Sequence, residues 1–170
     1  VVLRAENITD RKTLRDVSIE LHEGEILGIG GLSDSGMHEL GRAIFGIDKL
    51  VTGRVMCGDN LIDSPHRALE NGIGYVSKNR DLEALFLRAT IKMNITYPSL
   101  DDVSNFILIN PKKEKEFVQK QVEALKIKCN SIEQEVRSLS GGNKQKVVFG
   151  KWLGNNSKIL ILDCPTRGVD

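Results

Sequence analysis

Gly31 and Gly36, with four residues between them, stand between a short apolar run, Ile26-Leu27-Gly28-Ile29, and a segment whose Leu40, Ala43 and Ile44 recur at helical spacing. A strand that feeds a glycine loop and then a helix belongs to an α/β sheet protein, because the loop must turn the chain sharply from sheet to helix. The spacing predicts a helix from about Met37 to Phe45, stopped by Gly46. A second apolar run, Ile159-Leu160-Ile161-Leu162, does not alternate, as expected of a parallel strand covered on both faces, and it ends on Asp163. The expected fold class is therefore α/β with a mainly parallel sheet.

The rest of the chain fills in around that core. Val2 to Arg4 and Val17 to Leu21 read as two early antiparallel strands, followed by a turn at His22-Glu23-Gly24-Glu25. Gly53 to Cys57 reads as a strand ending in a Gly58-Asp59-Asn60 turn. Ser64-Pro65 opens a helix that Gly72 closes, since a capping hydroxyl precedes Pro at the first helical position. Gly74-Tyr75-Val76-Ser77 should be a central strand. From Thr90 to Glu135 the character turns helical. Asn110-Pro111 starts the clearest helix, with Val118, Val122 and Leu125 on one face and Lys112 to Glu116 as a solvated first turn. A last helix runs to Leu153, and the sequence shows no internal repeat. The expected layout is a core of residues 1–89 and 136–170 with a helical subdomain at 90–135.

Composition narrows the function. A chain of 170 residues is long enough for one core, and its net charge of +1 gives no case for nucleic acid. It has no apolar run of about 18 residues and no leader-like layout, so the expectation is a soluble cytosolic domain. Cys57, Cys129 and Cys164 are far apart and read as separate reduced thiols, and His22, His38 and His66 lack metal-ligand spacing.

The glycine loop carries phosphate-loop spacing but not its chemistry. In G-x-x-x-x-G-K-[ST] the Lys reaches the β and γ phosphates and the hydroxyl holds Mg²⁺. In Gly31-Leu32-Ser33-Asp34-Ser35-Gly36-Met37-His38 those two places are Met37 and His38. A unit-charge attraction worth about 4 kcal/mol at an intermediate dielectric is thereby removed, and Asp34 adds a like charge. Two readings stay open: a turn retained for folding, or weak residual nucleotide binding.

A different motif is intact. Leu139-Ser140-Gly141-Gly142-Asn143 immediately precedes a helix, so a hydroxyl, flexible N–H groups and a helix dipole can face one anion. With Pro165-Thr166-Arg167-Gly168-Val169-Asp170 and the phosphate-loop spacing, this stretch resembles the ATP-binding proteins of ABC-type importers of simple sugars, the ribose, galactoside and xylose kind. Those polypeptides carry two nucleotide-binding domains in tandem, and residues 2–170 resemble the second.

The resemblance implies a P-loop ABC ATPase fold that continues past Asp170. It implies that Ser140 to Asn143 serve ATP held on the opposite domain, while Gly31, Ser33, Asp34, Ser35, Gly36, Met37 and His38 form a degenerate phosphate loop. Asp163 takes the Mg²⁺-linked position. Cys164 stands where the family places a catalytic Glu, and a thiol with a reference pKa near 8.5 is a poor substitute for that base. Lys78 stands at the position that couples nucleotide to the membrane subunit, either replacing the lost cation or lying on the surface. The first aromatic is Phe45, so the usual adenine-stacking side chain upstream is missing, a loss of about 1–3 kcal/mol by analogy with base stacking. The implied partners are an N-terminal ABC domain of the same protein, integral-membrane permease subunits and an extracytoplasmic sugar-binding protein reached through them. The implied place is the cytoplasmic face of the plasma membrane. The alternatives are a non-transport ABC ATPase of the DNA-repair or translation type, against which the neutral charge argues, and a dimerisation scaffold that binds no nucleotide.

Overall fold

A computed structural model describes residues 1–32, 34–105 and 107–166. The chain divides into two compact units, Val1–Tyr75 and Val76–Asp170.

In the first unit, strands β1 (Leu3–Thr9) and β2 (Val17–Leu21) pair antiparallel, as the sequence predicts, with Ala5 opposite Ile19. The helix α1 (Met37–Ile44) follows, then β3 (Thr52–Cys57) and the short β4 (Asn60–Leu61), giving a sheet ordered β2-β1-β3-β4. Alternation puts Leu3 and Ala5 inside, a register shift between Ala5 and Ile8 brings Ile8 to the same side, and Val55 of β3 joins them, each no more than 3% exposed. Gly53 has φ +83°, and a Cβ there would stand 2.4 Å from the Glu6 carbonyl oxygen, so only glycine fits where β3 passes β1. Buried Asp10 fixes the β1–β2 loop by accepting from the amides of Lys12, Thr13 and Leu14 at 2.8–2.9 Å. Helix α2 (Pro65–Glu70) starts as expected, with the Ser64 hydroxyl accepting from the Arg67 amide. Phe45 stacks on Tyr75 at 5.4 Å.

Residues 26–29 depart from the expectation. They form no strand, and Ile26 is 98% and Ile29 48% exposed. Apolar content alone does not make a strand. A ladder partner is needed to satisfy the backbone, and no pairing engages this segment among the described residues.

Strand β5 (Ile73–Val76) is buried along its whole length. The second unit then builds α3 (Ile91–Thr96), α4 (Leu100–Val103), a small antiparallel pair β6 (Ser104–Asn105) and β7 (Leu108–Ile109), α5 (Pro111–Ala124) and α6 (Gly141–Gly154). Strand β8 (Ile159–Leu162) closes it, and the Asp163 amide donates to the Val76 carbonyl at 2.9 Å. The core is Ile91 and Ile95 of α3, Val118 of α5, and Val147 and Val148 of α6, all fully buried. Asn110 caps α5 by accepting from the Lys112 and Lys113 amides.

Two expectations change here. The first turn of α5 is not wholly solvated: Glu114 is buried and lies 3.8 Å from the Lys92 ammonium of α3. In β8 only Ile159 is buried and Leu162 is 47% exposed, so the strand is not covered on both faces.

Candidate functional site

The intact motif is a helix start left open. A single 3₁₀ turn, Val136–Ser138, delivers the chain into Leu139, which is buried and anchors the loop. Ser140 is extended (φ −63°, ψ 159°) and α6 begins at Gly141. The Ser140 side chain does not cap the helix. It accepts instead from Asn143 Nδ2 at 3.0 Å, which keeps the hydroxyl proton available for donation. The first amides of a helix have no intrahelical carbonyl to bond, and the dipole makes this end positive. The turn therefore offers N–H groups and a hydroxyl to an anion.

Asn143 does more than follow two glycines. Its Oδ1 accepts from the Lys128 amide at 2.9 Å while its Nδ2 holds Ser140, so one side chain ties the loop after α5 to the motif. Between them lies a groove of about 460 Å³, whose lining includes Lys128, Cys129, Gln134, Ser140 and Asn143. That size falls within the roughly 300–1,000 Å³ usual for ligand sites.

The segment after β5 braces the same turn. A π-helical turn, Arg80–Ala84, lies beside α6. Arg80 Nη1 donates to Gln145 Oε1 at 3.2 Å, and a Cβ on Gly141 would stand 2.8 Å from Arg80 Nη2. Lys144 pairs with Asp81 at 3.1 Å. Lys78 is half-buried, and Ser77, itself buried, bonds Glu83.

The phosphate-loop segment is built differently. Gly31, Leu32, Asp34 and Ser35 are exposed, and Ser33 lies outside the described residues. Gly36 has φ +90° and precedes Met37, the first residue of α1. No side chain caps this helix either. At its first turn stand a half-buried thioether, Met37, and the half-buried imidazole of His38. Met37 can neither donate a hydrogen bond nor carry charge.

Asp163 and Cys164 follow β8. Cys164 is an exposed free thiol with φ +51°, a left-handed backbone uncommon for a side-chain-bearing residue. Pro165 and Thr166 continue the chain, while Arg167 to Asp170 lie outside the described residues.

Sequence reasoning missed an apolar patch in the second unit. Phe86 and Tyr97 meet edge-to-face at 5.4 Å, and Phe86, Met93 and Tyr97 are each more than half exposed. Met93 and Tyr97 are four apart on α3 and its continuation, the one signal that places them on a common face. Fully buried Asn94 fixes the patch by accepting from the Phe86 amide and donating to its carbonyl.

Comparison with known proteins places this arrangement. The profile of the ABC transporter family matches residues 14–167. The chain is 43% identical over 171 residues to the ribose import ATP-binding protein RbsA of Bacillus subtilis, covering 99% of this chain and 35% of that protein. It is 43% identical over 173 residues to a putative ribose/galactose/methyl galactoside import ATP-binding protein of Agrobacterium fabrum, covering all of this chain and 34% of that one. The chain thus spans about a third of the length of these curated relatives. Its fold superposes on the dimeric post-hydrolysis state of the ATP-binding cassette MJ0796 bound to ADP and Pi, with a TM-score of 0.84 at 20% identity, over 99% of this chain and 76% of that one. It superposes on the cassette MJ1267 with a TM-score of 0.78 at 26% identity, over 99% and 71%. The open motif at the start of α6, the glycine loop before α1 and the match over residues 14–167 meet in one conclusion: this chain belongs to the ABC transporter family, as an ATP-binding cassette of the P-loop α/β fold.

Proposed function

We propose that this chain is the second nucleotide-binding domain of a simple-sugar ABC importer, where it completes the ATP site of its partner domain while its own site is impaired. The observation that carries this reading is the contrast between two helix starts. At α6, Ser140 leaves the amides of Gly141 and Gly142 uncapped and keeps a hydroxyl proton for an anion. At α1, Met37 and His38 stand where a cation and a metal-binding hydroxyl belong.

ATP supplies the γ-phosphoryl group whose transfer to water drives transport. Ser140, Gly141 and Gly142 would donate hydrogen bonds to that group, and Asn143 would hold the serine in place. Gly31, Ser33, Asp34, Ser35, Gly36, Met37 and His38 would form a weak phosphate loop, and Asp163 would be the residue to hold Mg²⁺. With Cys164, position 164 would supply no carboxylate to take a proton from water, and positioned general bases contribute about 10²–10⁴ in rate. The relatives' names support a sugar of the ribose class as cargo. The exposed Phe86–Met93–Tyr97 patch supports docking on permease subunits.

The test uses the full-length protein with both cassettes. Ser140→Ala with Gly142→Asp should abolish ATPase while ATP binding to the other domain's phosphate loop persists, because a carboxylate placed at the helix start repels the γ-phosphate. The matching change in the partner's signature should matter far less. Equal losses, or a greater loss from the partner's signature, would show that the proposal assigns the working site to the wrong half.

A further inference from the structure

Helix α6 is gripped along one face by the segment that follows β5. Arg80 Nη1 reaches Gln145 at 3.2 Å, Lys144 Nζ reaches Asp81 at 3.1 Å, and Lys151 Nζ donates to the Ala84 carbonyl at 3.0 Å. Lys144 and Lys151 are two helical turns apart on the same side, so the Arg80–Ala84 turn lies along α6 rather than touching it once. The far end of this segment is tied down by Asn94, which bonds both the amide and the carbonyl of Phe86.

Lys151 is the unexpected member. It is 8% exposed, its ammonium stands 5.3 Å from the Trp152 ring centroid, and burial pushes its pKa down to about 8. The charged side chains of the elements packed against α6 are engaged elsewhere. Asp81 pairs with Lys144 and Arg80, Glu83 with Ser77, Glu114 with Lys92, and Lys92 also with Glu133. Lys120 and Glu123 of α5 are exposed. Burying an ammonium with one carbonyl and the face of an aromatic ring, and no carboxylate partner among the described residues, is costly, and a leucine or methionine would fill the space without that cost. Packing does not account for a lysine here.

We propose that Lys151 is a positioning residue for the signature: its ammonium, closed on the Ala84 carbonyl, locks the Arg80–Ala84 turn to α6 so that Arg80, bonded to Gln145, holds the start of α6, and with it Ser140, in place for the γ-phosphate. The proposal rests on the signature-donor reading and adds to it the part that sets the turn's alignment. Protonation strengthens the bond to Ala84, so the lock weakens as pH rises through about 8. Global stability moves the other way. A lysine whose folded pKa is depressed below its unfolded value makes the unfolded state bind more protons between about pH 8 and 10.4, so its contribution to stability rises with pH in that window. A lysine with only a structural role would not lower turnover where it favours the fold.

The experiment measures ATPase and thermal stability of the full-length two-cassette protein from pH 7 to 9.5, as wild type, Lys151→Met and Lys151→Arg. Lys151→Met should lower kcat about tenfold with KM for MgATP within twofold, because ATP is held on the other domain's phosphate loop. Wild type should lose severalfold of kcat between pH 7.5 and 9. Lys151→Arg should recover at least half of the neutral-pH rate and lose little of it at pH 9. If Lys151→Met does not fold, the comparison of wild type with Lys151→Arg across pH decides alone. Wild-type kcat in Lys151→Met, or equal alkaline losses in wild type and Lys151→Arg, overturns the proposal. The Ser140→Ala, Gly142→Asp protein separates the two claims. Full activity there means that the signature-donor reading itself fails. An inactive signature variant beside an unimpaired Lys151→Met means that only the positioning role fails.

Discussion

Met37 opens α1 at the place where a phosphate loop carries its lysine, and it is half-buried behind an exposed loop. Replacing Met37 with Lys and His38 with Ser returns the two lost groups together. The bare attraction between unit charges at about 4 Å is roughly 4 kcal/mol at an effective dielectric of 20. The exposure of Gly31, Leu32, Asp34 and Ser35 admits water and reduces that figure. A charge-assisted hydrogen bond worth about 1.5–3 kcal/mol is the better guide, which corresponds to about 10- to 100-fold tighter binding. Without nucleotide the sign reverses. A lysine in the first turn of a helix opposes the dipole at a cost of about 0.3–1 kcal/mol. The double variant should therefore melt slightly lower than the parent alone, and higher than the parent with saturating MgATP. Calorimetric titration gives the affinity and thermal scans give the crossing. Cys164→Glu is the control: it should leave affinity within threefold, because a general base acts in the chemical step. An unchanged affinity in the double variant, or a tenfold gain from Cys164→Glu alone, would show that these positions are misassigned.

Two further outcomes test the fold. Ile95→Ala removes a fully buried side chain of α3 and should cost about 2–5 kcal/mol, read from the urea midpoint. Burial raises the Asp48 pKa, but the bonds from Arg42 and Lys12 outweigh it and hold the carboxyl below its usual value. Its contribution is then present above about pH 4 and lost as pH falls further, so Asp48→Asn should cost no more than about 1 kcal/mol at pH 7 and the difference should shrink in acid.

What the sequence made legible follows from how local each signal is. Ser64-Pro65 and Asn110-Pro111 announce helix starts because a cap involves residues within one turn. The antiparallel pairing of β1 and β2 could be read for a similar reason, two alternating segments and a short connection. Whether residues 26–29 form a strand could not be settled that way. Their apolar pattern is real, but pairing is decided by distant chain, and the segment lies exposed. The motif at 139–143 was readable as an anion-binding turn, yet nothing local indicated that Asn143 reaches back to Lys128. Lys151 was invisible for the same reason: on a helical projection it is one more charged residue, and only the third dimension encloses it.

Helix α6 has 14 residues, which makes it about 21 Å long at 1.5 Å per residue. Such a rod turns small angles into large displacements at its tip. A tilt of about 5° about the Trp152 end carries Ser140 through roughly 1.5 Å, enough to stretch a 2.8 Å hydrogen bond beyond the distance at which it counts. The angular tolerance of the signature is therefore only a few degrees. It is met by grips near both ends of the rod, Gln145 on Arg80 at one and Lys151 on Ala84 at the other, since a single pivot would leave the tip free to swing.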